Sequence, residues 1–395
     1  MVFDDIIVGS GLSALGTVMG LDRERRTLVL AGAATGAFAY YDARRVVPCA
    51  YDGLGGLGNN WHGVIPLSLR ANFGSATQAS FMEYFAAFYP GTPLGSSLPA
   101  SRLFVPWRPI RPARELARLA SQSAGRLTLR TQAAGKFHWQ DDGITVGTVD
   151  GVQYRCLRLW IAAGVLHTPG LLERSLGQSC SRNLVSDHVL SYAGQLQEQP
   201  APVVTRTRDG LLFPAHYPAN GQSLYTLRPA RFSFRKLDFG IEQRAVFGMP
   251  TGNAVARIMR RMSPGLLAEA LYNRAGLFPS AGIYSLYAQT PVPDAYVLGS
   301  GALPLQARTE IISRATTSAR EQAPFAGLHH SRRNEFYIPG IHLHHSVHLP
   351  ALQSLGINEP HSPVQVVDAS AVADIGPDHH SFKLMLLARD RARAC

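Results

Sequence analysis

Nine of the chain's fourteen histidines fall between His329 and His380, and an imidazole that titrates near neutrality has three uses there. It can bind a metal: His342, His344, His345 and His348 are spaced so that a strand or helix would gather two or three rings, although no carboxylate or thiol falls in ligand spacing with them. It can simply be polar and partly exposed. It can also take a proton from a substrate hydroxyl, and two histidines from separate segments, His342 and His379, can then share one substrate oxygen. The stretch around His379 suits this third use. Val364–Val367 reads as a buried strand, Asp368-Ala369-Ser370 as a turn, and Asp378 as the N-cap of an amphipathic helix from Phe382 to Ala388. His379 would then stand at a helix N-terminus, whose positive dipole end disfavours imidazolium and favours a negative charge nearby.

Those histidines need a scaffold, and the other end of the chain supplies its signature. Ile6-Ile7-Val8 is an apolar run suited to a strand buried on both faces, and Gly9-x-Gly11-x-x-Ala14 follows at once, opening a helix. Gly9 permits the sharp turn, Gly11 lets the backbone approach a pyrophosphate, and Ala14 lets the helix pack closely on the strand. The N–H groups of the first turn, Ser13 among them, face the phosphates. The second strand, Thr27–Leu30, should end in an acid for a ribose hydroxyl, but Ala31-Gly32 stands there. Farther on, Gly53, Gly55, Gly56 and Gly58 precede Asn59, Asn60 and Trp61, a loop whose backbone can close on a flat or charged ligand. Leu157 to Leu172 reads as a buried strand, a small-residue turn at Ala162-Ala163-Gly164, and a helix with Pro169 near its start. Strand signals around Leu127–Arg130 and Gly143–Val149, with an Asp150-Gly151 hairpin, predict a three-stranded insert between two halves of a dinucleotide fold.

In this order the segments resemble the glucose–methanol–choline (GMC) family of FAD-dependent oxidoreductases. The resemblance runs through the Gly9 turn, the Gly55-Gly56 loop, the Ala163-Gly164 turn and Arg182-Asn183-Leu184-Val185-Ser186-Asp187-His188. It continues at Pro291-x-Pro293-Asp294 and closes on His342-x-x-His345-Ser346-x-His348 and Asp368-Ala369-Ser370 to His379 and Met385-x-x-Ala388. It implies an α/β fold: a Rossmann-like FAD-binding domain discontinuous in sequence (1–70, 111–190 and 331–395), and a smaller α+β substrate domain on an antiparallel sheet (71–110 and 191–330). It implies oxidation of an alcohol, CH–OH to C=O, with His342 and His379 on the catalytic positions. FAD would be held by Gly9, Gly11, Ser13, Ala14, Gly55, Gly56, Asn59, Asn60, Trp61, Ala163, Gly164, Asp368, Ala369 and His380. Asn60 stands where some members attach flavin through histidine, which implies non-covalent FAD. His345 and His348 replace the family's glycine and basic residue, and the chain is shorter than most members. A flavin lyase or isomerase without net oxidation, and a degenerate non-catalytic relative, stay open beside this reading.

Bulk properties narrow the partners. The hydrophobic fraction is 46% and the charged fraction 16%, those of a globular chain rather than a disordered one. The net charge of +11 comes from scattered arginines without the aromatic interleaving that single-strand binders use, which argues against nucleic acid. Cys49, Cys156, Cys180 and Cys395 show no paired spacing and read as reduced thiols. No apolar run is long enough to span a bilayer and no secretory leader is visible, so the expectation is a cytoplasmic enzyme acting on a small alcohol, sugar-like polyols included. Substrate specificity would lie in 190–330. The electron acceptor (oxygen, quinone or protein) is left open.

Overall fold

The structure, a computed structural model, describes residues 2–32, 35–41, 47–61, 63–67, 78–95, 101–140, 143–200, 203–218, 221–229, 281–299, 303–329, 337–339 and 342–395. Much of the predicted substrate region, 230–280 in particular, lies outside the described residues, as do 71–77 and 96–100.

Ile6 and Ile7 are fully buried, as a continuous apolar run requires, and their strand Val2–Val8 sits near the centre of a parallel array. Thr27–Leu30 pairs on one side and carries Leu127–Arg130 beyond it, all in parallel register. On the other side runs Gln153–Ile161, which changes partners along its length. Its first half pairs antiparallel with Gly143–Thr148, and its last three residues pair in parallel with Val364–Val366. Leu127–Arg130 therefore belongs to the parallel sheet and not to the three-stranded insert. The insert's first strand is Ala134–Gln140, which escapes a pattern search because only Phe137 of its seven residues is buried.

The parallel strands end at a common edge: Ala162 N–H donates to Val8 O (2.7 Å) and Val367 N–H to Ile161 O (2.9 Å). Ligands of such sheets bind beyond this edge. Helix Leu12–Gly20 leaves from it, and helix Ser381–Ala394 packs against that helix with almost no gap. A Cβ at Gly16 would lie 2.0 Å from Met385 O, and one at Gly20 2.2 Å from Arg389 O. Because both contacts carry the same offset, the two helices run parallel, and their N-termini face the same way.

Among the described residues three antiparallel sheets complete the architecture, the smallest being the pair Ala37–Tyr40 and Pro48–Asp52. The largest has the order Leu224–Pro229, Ala281–Leu298, Leu184–Pro200, Tyr337–Pro339, with Leu305–Ala307 on the end of Ala281–Leu298. Helix Thr309–Glu321 packs on it, burying Ile312 and Ala319. The other joins Thr205–Arg206, Gly210–Pro214, Arg102–Pro106 and Ile65–Pro66. This is the α/β class expected. Strand Leu184–Pro200 continues through position 190, with register irregularities between Val185 and Asp187, Tyr192 and Gly194, and Leu196 and Gln199. No described helix is long and apolar enough to cross a membrane. Cys49 and Cys156 are buried, and burial pushes both thiols up to about 12.

Candidate functional site

The glycine turn divides its labour between two residues. Gly9 has φ +108°, and a Cβ there would lie 2.0 Å from Ala162 O, so the fold itself demands glycine. Gly11 is different. Its backbone is extended, and an added Cβ would approach only Gly55 O, at 4.0 Å. The space beside Gly11 is free, and as N-cap it brings no side chain to satisfy the first-turn N–H groups of helix Leu12–Gly20. Ser13 is buried and its carbonyl accepts from Thr17 Oγ1. Ala14 packs between the helix and Ile7, Val29 and Trp160.

The glycine loop folds over this turn. Ser10 Oγ accepts from Gly55 N–H (2.9 Å), and a Cβ at Gly56 would come 3.8 Å from Gly11 Cα. Gly56–Asn60 is a short 3-10 helix. Asn59 is committed to holding it: its amide donates to Leu54 O (2.6 Å) and its oxygen accepts from Ala113 N–H (3.2 Å). Asn60 is half-buried, and Trp61 packs on the aromatic core while its carbonyl accepts from Arg111. Gly164, at φ +87°, donates its N–H to Asp368 Oδ2 (2.8 Å), beside partly buried Ala163. Asp368 also accepts from Thr168 Oγ1 (2.7 Å) and Ser370 N–H (2.9 Å), so its carboxylate fastens two strand ends together, and Ala369 is buried beneath.

Where the second strand lacks its acid, another segment brings one. A Cβ at Gly32 would lie 3.1 Å from Asp52 Oδ1, at the end of strand Pro48–Asp52, and Thr35 Oγ1 donates to Asp52 Oδ2 (3.0 Å).

The histidines form a chamber. Ring centroids separate His342 from His379 by 5.2 Å, from His380 by 4.7 Å and from His188 by 5.1 Å, with His344 6.2 Å from His188. His379 is half-buried and the other four are buried. Asp187 sets the spacing. Its Oδ1 accepts from the backbone N–H groups of both His188 (2.8 Å) and His342 (2.7 Å), and its Oδ2 accepts from Tyr41 Oη (2.8 Å). Burial and the Asp187 charge push Tyr41 far up. His344 pairs with Ser186 in a β-bridge, and its Nδ1–H donates to His342 O (3.0 Å). His188 Nε2–H donates to Gly376 O (2.6 Å).

Burial, reinforced by neighbouring imidazoles, keeps these rings neutral. It draws His188 down to about 4 and His344 to about 3, and holds His342 and His380 well below the ordinary histidine range. The helix offset that pairs Gly16 with Met385 sets His380 level with Gly11, so the chamber and the glycine turn share one end of the molecule.

One expectation changes. Asp378 is not the helix N-cap: helix Ser381–Ala394 is preceded by His380, and Asp378 instead accepts from Tyr217 Oη (2.6 Å) and Lys383 Nζ (2.7 Å) in a buried ion pair. An acid three residues ahead of a helix found stronger donors than the helix's own N–H groups. Of the four histidines from 342 to 348, whose spacing would let two or three rings gather, His342 and His344 enter the chamber. His345 turns out at φ +57° to meet Arg182 (2.7 Å), and exposed His348 caps helix Leu349–Ser354. Their place is taken by His188, signalled only by the Asp187-His188 pair. Tyr41, Ser10 and Asp52 had no sequence signal, because each acts through a contact distant in the chain.

No protein-family model matches the sequence, and no curated protein does. Solved structures do. Pyridoxine 4-oxidase from Mesorbium loti aligns over 99% of this chain and 98% of its own, at 14% identity and TM-score 0.50. An FAD-dependent oxidoreductase from Chaetomium thermophilum aligns over the same shares, at 13% identity and TM-score 0.50. The chain has their fold. The likeness is one of fold.

Proposed function

We propose that this chain is an FAD-dependent oxidoreductase that oxidises a small alcohol to a carbonyl compound. The observation that carries the reading is the pairing of His342 and His379, 5.2 Å apart and from separate segments, at the end of the molecule that bears the glycine turns. The cradle fits FAD: space beside Gly11, uncapped N–H groups on the helix it opens, and a glycine loop folded over it. Gly9, Gly11, Ser13, Ala14, Gly55, Gly56, Asn60, Trp61, Ala163 and Gly164 would surround the cofactor without a covalent bond. Asp52 would supply the ribose carboxylate that Ala31 lacks.

Bound there, FAD supplies the acceptor for a hydride leaving the carbinol carbon. His342 does the rest of the acid–base work. Kept neutral by burial and its imidazole neighbours, it offers a ring lone pair to the hydroxyl proton. Asp187 fixes the His342 backbone, and His379 steadies the same oxygen from the half-open side. The neutral, polar walls suit small alcohols, sugar-like polyols among them.

His342→Ala tests the assignment. With substrate under anaerobic conditions, bleaching of the flavin should slow by roughly 10²–10⁴-fold. Undiminished bleaching would remove His342 from the mechanism, and purified protein that takes up no FAD would remove the oxidoreductase reading altogether.

A further inference from the structure

Three rings of the chamber share an unmet requirement. The Nδ1 atoms of His188, His342 and His380 are buried, and none makes a hydrogen bond. One nitrogen from each ring lies within 4.8 Å of the other two. A buried polar atom left unpaired costs about 1–3 kcal/mol, so three such atoms on rings of one chamber call for an occupant.

The choice of occupant follows from chemistry. One water can donate to two ring lone pairs at most, and the lone pair on His188 Nδ1 is one candidate. A metal cation accepts all three at once, and neutral imidazole is the ligating form. The surroundings are those of a ligand set. His188 donates Nε2–H to Gly376 O, which leaves the lone pair on Nδ1, and Asp187 holds the backbone of His188 and His342 alike. The set contains no carboxylate, so magnesium and calcium do not suit it. Three nitrogens and a free position match a zinc-type divalent ion. Coordination at ~2.0–2.1 Å would draw the nitrogens together by roughly an ångström through side-chain rotation.

We propose that His188, His342 and His380 form a three-imidazole site for one divalent transition-metal ion, with a fourth position open to a water or a small oxygen ligand. The site does not depend on the flavin reading, because ion binding can be read in flavin-free protein. It does bear on that reading: His342 cannot both ligate an ion and accept a hydroxyl proton, so a loaded site silences oxidation that uses His342 as base.

Zinc titration of chelator-treated, full-length protein by calorimetry tests the proposal. One ion per chain is expected. His188→Gln and His380→Gln should each weaken binding at least 100-fold, whereas His348→Gln, at an exposed ring, should leave it unchanged. X-ray absorption of the zinc-loaded wild type needs no variant and should show three imidazole nitrogens around the metal. Failure of the wild type to bind, a shell dominated by oxygen, or full binding by both chamber variants would overturn the site. Loss of alcohol oxidation in His342→Ala with zinc binding absent from the wild type would leave the flavin reading standing and the metal site refuted.

Discussion

The turn from Gly9 to Gly11 and the chamber around His342 lie at one end of the molecule and use different materials. The turn works mainly with backbone: it needs the absence of side chains at Gly9 and Gly11 and N–H groups that a helix end leaves free. The chamber works with side chains brought from residues 41, 187–188, 342–344 and 378–380, with a buried carboxylate between them. A backbone site can be written in six consecutive residues. A side-chain site exists only after several strands have paired, and its properties belong to the group: each imidazole is neutral partly because the others are near.

The sharpest way to probe that contrast begins inside the turn. Gly9→Ala places a Cβ against Ala162 O at a positive φ, and should cost at least about 4 kcal/mol, so that soluble protein is lost. Gly11→Ala meets no such wall. It should melt within a few degrees of the wild type yet bind FAD at least about tenfold more weakly in a fluorescence titration. Equal loss of folding in the two variants would erase the distinction between a glycine kept for the fold and one kept for the ligand.

Acid should find the chamber before the turn. Above pH ~6.5 the rings are neutral folded or unfolded and ionisation changes nothing. As the pH falls below that value the unfolded chain takes up protons first. Stability then declines until the folded-state values, about 4 for His188 and about 3 for His344, are reached. His188 alone accounts for a loss on the order of 3 kcal/mol. Thermal melting of metal-free protein between about pH 7 and about pH 5 should show the decline, with hydrogen exchange rising first around 184–188 and 342–347. A flat profile would mean that the rings are hydrated.

The smallest effect concerns Asp52. Asp52→Asn should weaken FAD binding roughly tenfold, about 1.4 kcal/mol, without moving the melting temperature beyond a few degrees. Unchanged affinity would leave the ribose to other groups.

What the sequence made legible follows the same division. The strand–turn–helix at Ile6 to Ala14 and the small-residue turn at Ala163-Gly164 were readable because local spacing alone produces them. The pairing of His342 with His379 was readable through the resemblance at the closing segments. His188 was hidden, since a histidine inside a strand looks the same whether it faces a core or a site. Asp368 and Asn59 looked like ligand contacts, yet the structure gives their side chains protein partners. Short polar residues at turns serve the chain and a ligand equally well, and spacing cannot tell the two apart.

The parallel contact between helices Leu12–Gly20 and Ser381–Ala394 has a consequence for biosynthesis. The groove at Gly16 and Gly20 has no partner until the other helix has been made, nearly the whole sequence later. During translation the first nucleotide-binding turn therefore waits with its small-residue face uncovered, and the parallel sheet cannot receive Val364–Val366 either. Closure of the fold therefore waits on contacts of high sequence separation, and a chain truncated before Val364 should be cleaved by protease faster than the full chain.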